Sequence, residues 1–344
     1  MRGNRPPLPH RRALIAGAGA LAATAALFAC TRNEVQPDET GRVRLRFALG
    51  GLADAGHGGF YQAVASGAYE RRGLNVEILQ GPAGADVPGL LASGTAELGL
   101  GADSFAALNL VAAGAPVKAV AACFQKDIHV LIAHPGPELE DASDLVGQPV
   151  YVPDDATETA WAWLKARYGF TDASLRRYTG DPEAFLADER AVLLGTLTST
   201  LGAVRVAADM TPRVLVLADE GYPPYGGLVL APNAFARDNA RALRSFIVAS
   251  AEGWRDYIQG DARAADALIT AANPASTARL LTQGRDALRL NGVVAGGDAA
   301  LYGLGAMTED RWREFFVIAS QAGLYAEDLD WRQAFTAQYL PGRG

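Results

Sequence analysis

Thiols are scarce in this chain: of 344 residues only Cys30 and Cys123 are cysteine. One disulfide at most is available, and none once Cys30 is otherwise engaged, so neither a disulfide scaffold nor a cysteine metal cluster holds this fold. Histidine is nearly as rare, at 10, 57, 129 and 134. His129 and His134 lie five apart in a strand pattern and face opposite sides, which leaves no paired imidazoles for a metal. No G-x-S-x-G occurs, which removes the nucleophile elbow of an esterase even though "HGGF" (His57 to Phe60) looks like an oxyanion segment. "GLGADS" is too poor in glycine to cradle phosphate, and "GAGALA" (Gly17 to Ala22) follows no strand. No cofactor, no resident metal and no catalysis are expected. Lysine appears only at 118, 126 and 165, and acids outnumber Lys and Arg by 38 to 31, so nucleic acid is not an expected partner.

What is present begins with an export signal. Arg2, Arg5 and the pair Arg11-Arg12 precede Ala13 to Ala29, a run of about 17 apolar residues rich in Ala and Gly. A short membrane anchor is the alternative reading. Against it, "LFAC" (Leu27 to Cys30) sets a small residue before cysteine, the pattern a lipoprotein signal peptidase reads, and the twin arginine fits export of a folded protein. Residues 1–29 are therefore expected to be removed and Cys30 to carry lipid, tethering the protein outside the cytoplasm, on the periplasmic side in a Gram-negative cell. Losing four arginines and no acid takes the formal charge from −7 to −11. Residues 30–42 read as a flexible spacer. From Val43 onward no apolar run is long enough to span a bilayer.

The remainder alternates strand and helix patterns. Val43, Leu45 and Phe47 alternate as a strand; Phe60, Tyr61, Val64, Ala65, Ala68 and Tyr69 share a helical face that stops at Arg71-Arg72-Gly73. Further strands follow at Leu74 to Ile78, Ala96 to Leu100 and "PVKAVAACF", separated by short helices closed by Gly94 and Gly114. Short links between alternating elements imply right-handed crossovers and parallel sheets. The pattern restarts at "HVLIAHP" and runs to "RVLVLAD"; after "GGLVLAP" long helices take over. The expected fold is α/β with two lobes joined by a two-segment hinge: lobe one from 43–125 and 218–344, lobe two from 126–217.

In open α/β sheets, ligands bind beyond the carboxyl ends of strands. The polar clusters fall there: Asp54 to Tyr61, "GADSF" (Gly101 to Phe105), "CFQKD" (Cys123 to Asp127), "DDATET" (Asp154 to Thr159), "TST" (Thr198 to Thr200) and "DEGYPPYGG" (Asp219 to Gly227). His57 has two readings, a ligand contact with Gly58 and Gly59 admitting close approach, or the ordinary start of a surface helix. Asp103-Ser104 likewise reads as a helix cap or as a ligand contact. Tyr61, Phe124, Trp161, Tyr222 and Tyr225 lie in or beside these junctions, and flat walls suit a flat ligand. The loops carry Asp54, Asp103, Asp155 and Glu158 rather than arginine, which favours a neutral or weakly basic heteroaromatic over a small anion.

The segments "HGGFYQAVASGAYERRGLNVEI", "LLASGTAELGLGA", "AGAPVKAVAA", "GYPPYGGLVL", "SAEGWRDYI" and "GAMTEDRW", in this order, resemble the bacterial ABC-transporter solute-binding proteins of the nitrate, sulfonate, taurine and thiamine-pyrimidine-precursor branch (the SsuA/THI5-like family). The resemblance covers nearly all of Val43 to Pro341. It implies a type II periplasmic-binding-protein fold, a monomer, capture of a small solute and delivery to a membrane permease driven by a separate ATPase. It also implies ligand contacts at His57, Tyr61, Asp103, Thr157, Trp161, Tyr222 and Tyr225; Ser104, Gln125, Thr159 and Ser199 join them as candidates from their place in the polar clusters. The solutes it implies are a pyrimidine thiamine precursor or a riboflavin-like ring, with nitrate, taurine and aliphatic sulfonates as the alternative. One departure is "LTSTLG" (Leu197 to Gly202), where relatives tend to carry an acid. A pyrimidine-synthesising enzyme in the same family is similar, but that relative is cytosolic with a cysteine-rich motif, and this chain has an export signal and one cysteine in the fold.

Overall fold

The computed structural model describes residues 35–82, 84–208 and 210–342. The expected signal segment and Cys30 lie outside the described residues.

Alternating apolar residues start strand β1 (Val43–Ala48), with Leu45 and Phe47 fully buried. Helix α1 (Gly58–Ala65), β2 (Leu74–Leu79), α2 (Val87–Ala92), β3 (Leu98–Asp103), α3 (Ser104–Ala112) and β4 (Val117–Phe124) follow. Helix α1 ends earlier than the apolar pattern suggests. Its continuation is a 3-10 turn, Glu70–Arg72, closed by Gly73 at φ 74°, a left-handed cap that glycine adopts without strain. Lobe two contains β5 (His129–Ala133), β6 (Val150–Pro153), α4 (Ala160–Tyr168), β7 (Leu175–Tyr178), α5 (Glu183–Leu186), β8 (Val192–Thr196), α6 (Thr200–Ala208) and β9 (Arg213–Val216). The chain then returns as β10 (Gly226–Pro232) and closes with helices α7 (Asn233–Asp238), α8 (Ala240–Gln259), α9 (Arg263–Ala272), α10 (Ala278–Leu290), α11 (Ala299–Tyr302) and α12 (Glu309–Gln321).

Two five-stranded sheets result, in the orders β2-β1-β3-β10-β4 and β7-β6-β8-β5-β9. The two orders are equivalent, as in a type II periplasmic-binding-protein fold. The expectation of parallel sheets is corrected at one place in each: β10 runs antiparallel to β3 and β4, and β5 antiparallel to β8 and β9. Both are the first strands laid down after the chain changes lobe. They enter their sheets from the opposite end, with no crossover helix to reverse them. The two passages between sheets are residues 125–128 and 217–225.

Helix α8 covers the first sheet with Leu243, Phe246, Ile247, Ala249, Ser250, Trp254 and Tyr257 on its buried face. It crosses α1 at close range. A Cβ on Gly58 would lie 2.1 Å from the Tyr257 ring, one on Gly59 2.2 Å from Trp254, and one on Gly253 2.1 Å from the Gly59 carbonyl oxygen. The glycine pair after His57 is thus required by helix-to-helix contact. Among the described residues no helix is long and apolar enough to cross a membrane.

Candidate functional site

The ends of β1 and β3 in lobe one, each leading into a helix, carry most of the polar groups at the junction between the lobes. Beyond β1, the Ala55–His57 turn is fixed by a capping box in which Asp54 accepts from the Gly56 amide at 2.8 Å and His57 Nδ1 accepts from the Asp54 amide at 3.2 Å. The other oxygen of Asp54 reaches across the lobes, accepting from Thr198 Oγ1 at 3.1 Å. Gly284 of α10 stands behind this contact, because a Cβ there would lie 2.7 Å from both Ala55 and the Thr198 carbonyl. His57 and the turn before α6 are therefore neighbours. Ser199 is exposed there, 2.9 Å from the Thr196 hydroxyl.

At the end of β3, Asp103 is fully buried and caps α3 by accepting from the Ala106 amide at 3.1 Å. Its second oxygen accepts from the Tyr222 hydroxyl at 3.0 Å. Tyr222 is stacked on Phe105 at 5.7 Å and meets Trp163 of lobe two edge-on at 5.1 Å. Thr159, also buried, neighbours the Tyr222 hydroxyl from the lobe-two side. Asp127 of the first passage and His129 at the start of β5 complete the cluster. Asp127 accepts from the His129 amide at 2.8 Å and lies 2.6 Å from His129 Nδ1. Burial, then the neighbouring Asp127 charge, raises the Asp103 carboxyl above the usual range. Burial alone would lower His129, but the Asp127 carboxylate outweighs it and carries the imidazole up.

The remaining expected contacts are structural in their surroundings. Ser104 and Tyr225 exchange bonds: the Ser104 hydroxyl accepts from the Tyr225 amide and the Ser104 amide donates to the Tyr225 carbonyl, each at 3.0 Å. The Tyr225 hydroxyl donates to Asp298, accepts from the Thr308 amide at 3.0 Å, and its ring carries the Arg311 guanidinium at 4.0 Å. This ties the return passage to α12. Gln125 is buried and donates to the Ala306 carbonyl at 3.0 Å. Thr157 donates to Pro153 in its own turn at 3.4 Å. Tyr61 is buried on α1, and burial pushes its hydroxyl up to about 12. Trp161 has no exposed surface; its indole donates to Asp172 at 2.9 Å and packs edge-on to Phe170. The structure thus gathers Asp103, Ser104, Thr159, Tyr222 and Tyr225 at the junction and brings His57 beside Ser199, while Trp161 and Gln125 lie inside the packing.

Sequence reading did not single out Thr198, Asp127, His129 or Trp163 as contacts across the junction. Thr198 and Asp127 sit inside clusters that were noticed, but their partners are distant in sequence, which spacing does not reveal.

A cavity of about 290 Å³ lies against both passages and α12, lined by Lys126, Gly221, Tyr222, Pro223, Arg311 and Glu314 among others. Three cations near the junction are engaged: Lys126 with Asp219 at 2.7 Å, Arg285 with Asp266 at 2.7 Å, and Arg311 over Tyr225.

Comparison with known proteins agrees with this architecture. Riboflavin-binding protein RibY of Chloroflexus aurantiacus is 26% identical over 235 residues, 67% of this chain and 66% of that protein, so the match spans just under two thirds of the relative's length. The periplasmic aliphatic sulphonate binding protein SsuA of Escherichia coli superposes with a TM-score of 0.63 at 16% identity, covering 88% of this chain and 94% of that one. The alkanesulfonate-binding SsuA of Xanthomonas axonopodis pv. citri, solved bound to MOPS, gives 0.63 at 13% identity, with 85% and 98% covered. These likenesses establish the shared fold. Residues 54–264, which span the His57 turn, both passages and all of lobe two, match the model described as NMT1/THI5 like, and the chain belongs to that family.

Proposed function

We propose that this chain is the extracytoplasmic solute-binding component of an ABC importer, holding a small organic solute between its lobes and presenting it to a permease with its ATPase. Family membership indicates a binding protein without catalysis of its own. The observation that carries the reading is the junction itself. Asp54 and Asp103 of lobe one meet Thr198 and Thr159 of lobe two directly or through Tyr222, so a ligand seated there touches both lobes. Such a ligand binds the closed arrangement more tightly than the open one, and that difference drives closure. Lipid on Cys30 would hold the protein beside its permease, and a monomer suffices for this task.

The site's own chemistry supports a planar nitrogen heteroaromatic, of the pyrimidine thiamine-precursor or riboflavin-like kind. Carboxylates, hydroxyls and imidazole line the junction, and three cations near it, Lys126, Arg285 and Arg311, are held by Asp219, Asp266 and the Tyr225 ring. The similarity to a riboflavin-binding protein points the same way. A second reading, an alkanesulfonate, taurine or nitrate, is favoured by the solved sulfonate-binding proteins that share the fold and by the hydroxyl-rich turn Thr196 to Thr200 at the start of α6. Thermal shift with pyrimidines, riboflavin, taurine, alkyl sulfonates and nitrate separates the two, because a ligand of the native state alone stabilises it by RT ln(1 + [L]/Kd). Stabilisation by a heterocycle and not by sulfonates supports the first; the reverse selects the second; stabilisation by none of them removes both solute classes. His57→Ala then reports whether the imidazole touches the bound solute.

A further inference from the structure

We propose that Asp103, Asp127 and His129 form a binding site for one divalent transition-metal ion of the zinc or manganese type. The three residues come from three segments: the end of β3, the first passage between lobes and the start of β5. Each offers one ligand atom, and these atoms lie within 4.8 Å of one another. Nitrogen and oxygen ligands about 2.0–2.2 Å from a common ion stand about 3–4 Å apart, so modest side-chain adjustment closes the site. Asp103 is 0% and Asp127 1% exposed, so bulk water does not screen the two carboxylates from each other.

A second observation is independent of the clustering. Asp127 Oδ2 is buried and has no hydrogen-bond partner among the described residues. It lies against Gly226, where a Cβ would be 3.4 Å away, and Gly226 is the residue of β10 in register with Asp103. An unpartnered, buried carboxylate oxygen near a second buried carboxylate is costly; the His129 imidazole offsets that charge in the metal-free protein, and an ion on the same atoms would take over that task. The partner oxygen of Asp127 is already committed to His129. An ion held by both residues would take the place of the proton shared in that bond, since a ligating imidazole is neutral and its ligating nitrogen carries no hydrogen.

The donor set sorts the candidates. Two carboxylates and one imidazole suit Zn²⁺ or Mn²⁺; Ca²⁺ calls for six or more oxygens, and soft Cu(I) for sulfur. Three protein ligands also leave a coordination position for water or another ligand. Because Asp103 belongs to lobe one and His129 to lobe two, a bound ion stabilises the closed junction from within. The sequence argument against a metal concerned the spacing of His129 and His134; it did not address carboxylates brought to His129 by the fold.

The test needs no solute. The full chain, stripped with EDTA, is titrated with ZnCl₂ by calorimetry and analysed for bound metal by mass spectrometry. One equivalent per chain is expected, with affinity at least tenfold weaker in Asp127→Asn and in His129→Gln. Co²⁺ in place of Zn²⁺ provides a readout on the unaltered protein: visible d–d absorption of a low-coordinate nitrogen and oxygen site, without a thiolate band from Cys123. Absence of saturable binding overturns the proposal. So do unchanged affinity in both folded variants, which means an adventitious surface ion, and a cobalt spectrum equal to that of the aqueous ion.

Discussion

Gly253→Ala tests the packing that positions His57, and its sign is opposite on helical grounds and on steric ones. In the middle of the twenty-residue helix α8, alanine should be better than glycine by about 1 kcal/mol. The added methyl, however, would sit 2.1 Å from the Gly59 carbonyl oxygen of α1 and 2.7 Å from the Ala63 methyl. Carbon and oxygen need about 3.3 Å, so the helices must separate by roughly 1 Å. That gap forfeits a quarter to a half of the dispersion well for atoms across the interface. The interface contains the Phe60–Trp254 and Phe60–Phe246 ring pairs at 5.8 and 6.3 Å. Backbone has no rotamer to yield, so the penalty belongs near the upper end of overpacking, about 3 kcal/mol. The expected net loss is about 2 kcal/mol, or a fall in Tm of about 4–8 °C. Urea denaturation with thermal circular dichroism measures it. An unchanged or raised Tm would refute the reasoning, since it would mean that α1 and α8 do not meet at Gly59 and Gly253.

Thr198→Val deletes the hydroxyl donated to Asp54 across the lobes while keeping its shape. About 1 kcal/mol of closure should be lost and solute affinity should fall roughly fivefold by calorimetry, with no effect if the lobes close without this bond. Trp161→Ala should destabilise lobe two by about 3–5 kcal/mol in denaturant, through the emptied core and the lost bond to Asp172; a loss below about 1 kcal/mol would show the ring to be outside the core. Burial pushes the Cys123 thiol up to about 12, so in a Cys30→Ser chain at pH 8 a thiol reagent should react slowly with native protein and fast in urea; rapid native labelling would contradict the buried placement.

Much of the fold was legible because apolar periodicity and glycine caps are local. Gly73, Gly94 and Gly114 each stop a segment where the sequence places the stop, with φ of 74°, 69° and 68°. The orientation of β5 and β10 was not legible, because entry from another lobe leaves no mark on a strand's own residues. The site shows the same division. That Asp103 and Tyr222 lie at strand ends and passages follows from sequence order, whereas their hydrogen bond joins residues 119 positions apart. Trp161 follows a junction turn in sequence, but neighbourhood in sequence does not give the direction of a side chain, and its ring is buried in lobe two. The glycine pair after His57 was weighed as room for a ligand; its neighbours turned out to be Tyr257 and Trp254, which helical spacing alone does not connect to it.

The position of β10 between β3 and β4 bears on the order in which the protein assembles. Lobe two is made from one unbroken stretch, so its five strands are all available once Val216 has been synthesised. The first sheet at that moment has β2, β1 and β3 on one side and β4 on the other, with the strand between them not yet made. Its completion requires Gly226 to Pro232 to return across a long loop of chain, a closure that is slow on entropic grounds. The lobe that comes second in sequence is therefore placed to fold first, and the N-terminal lobe remains an open sheet with two unpaired inner edges until the chain comes back. Such edges are where a chaperone, or an aggregating neighbour, would bind.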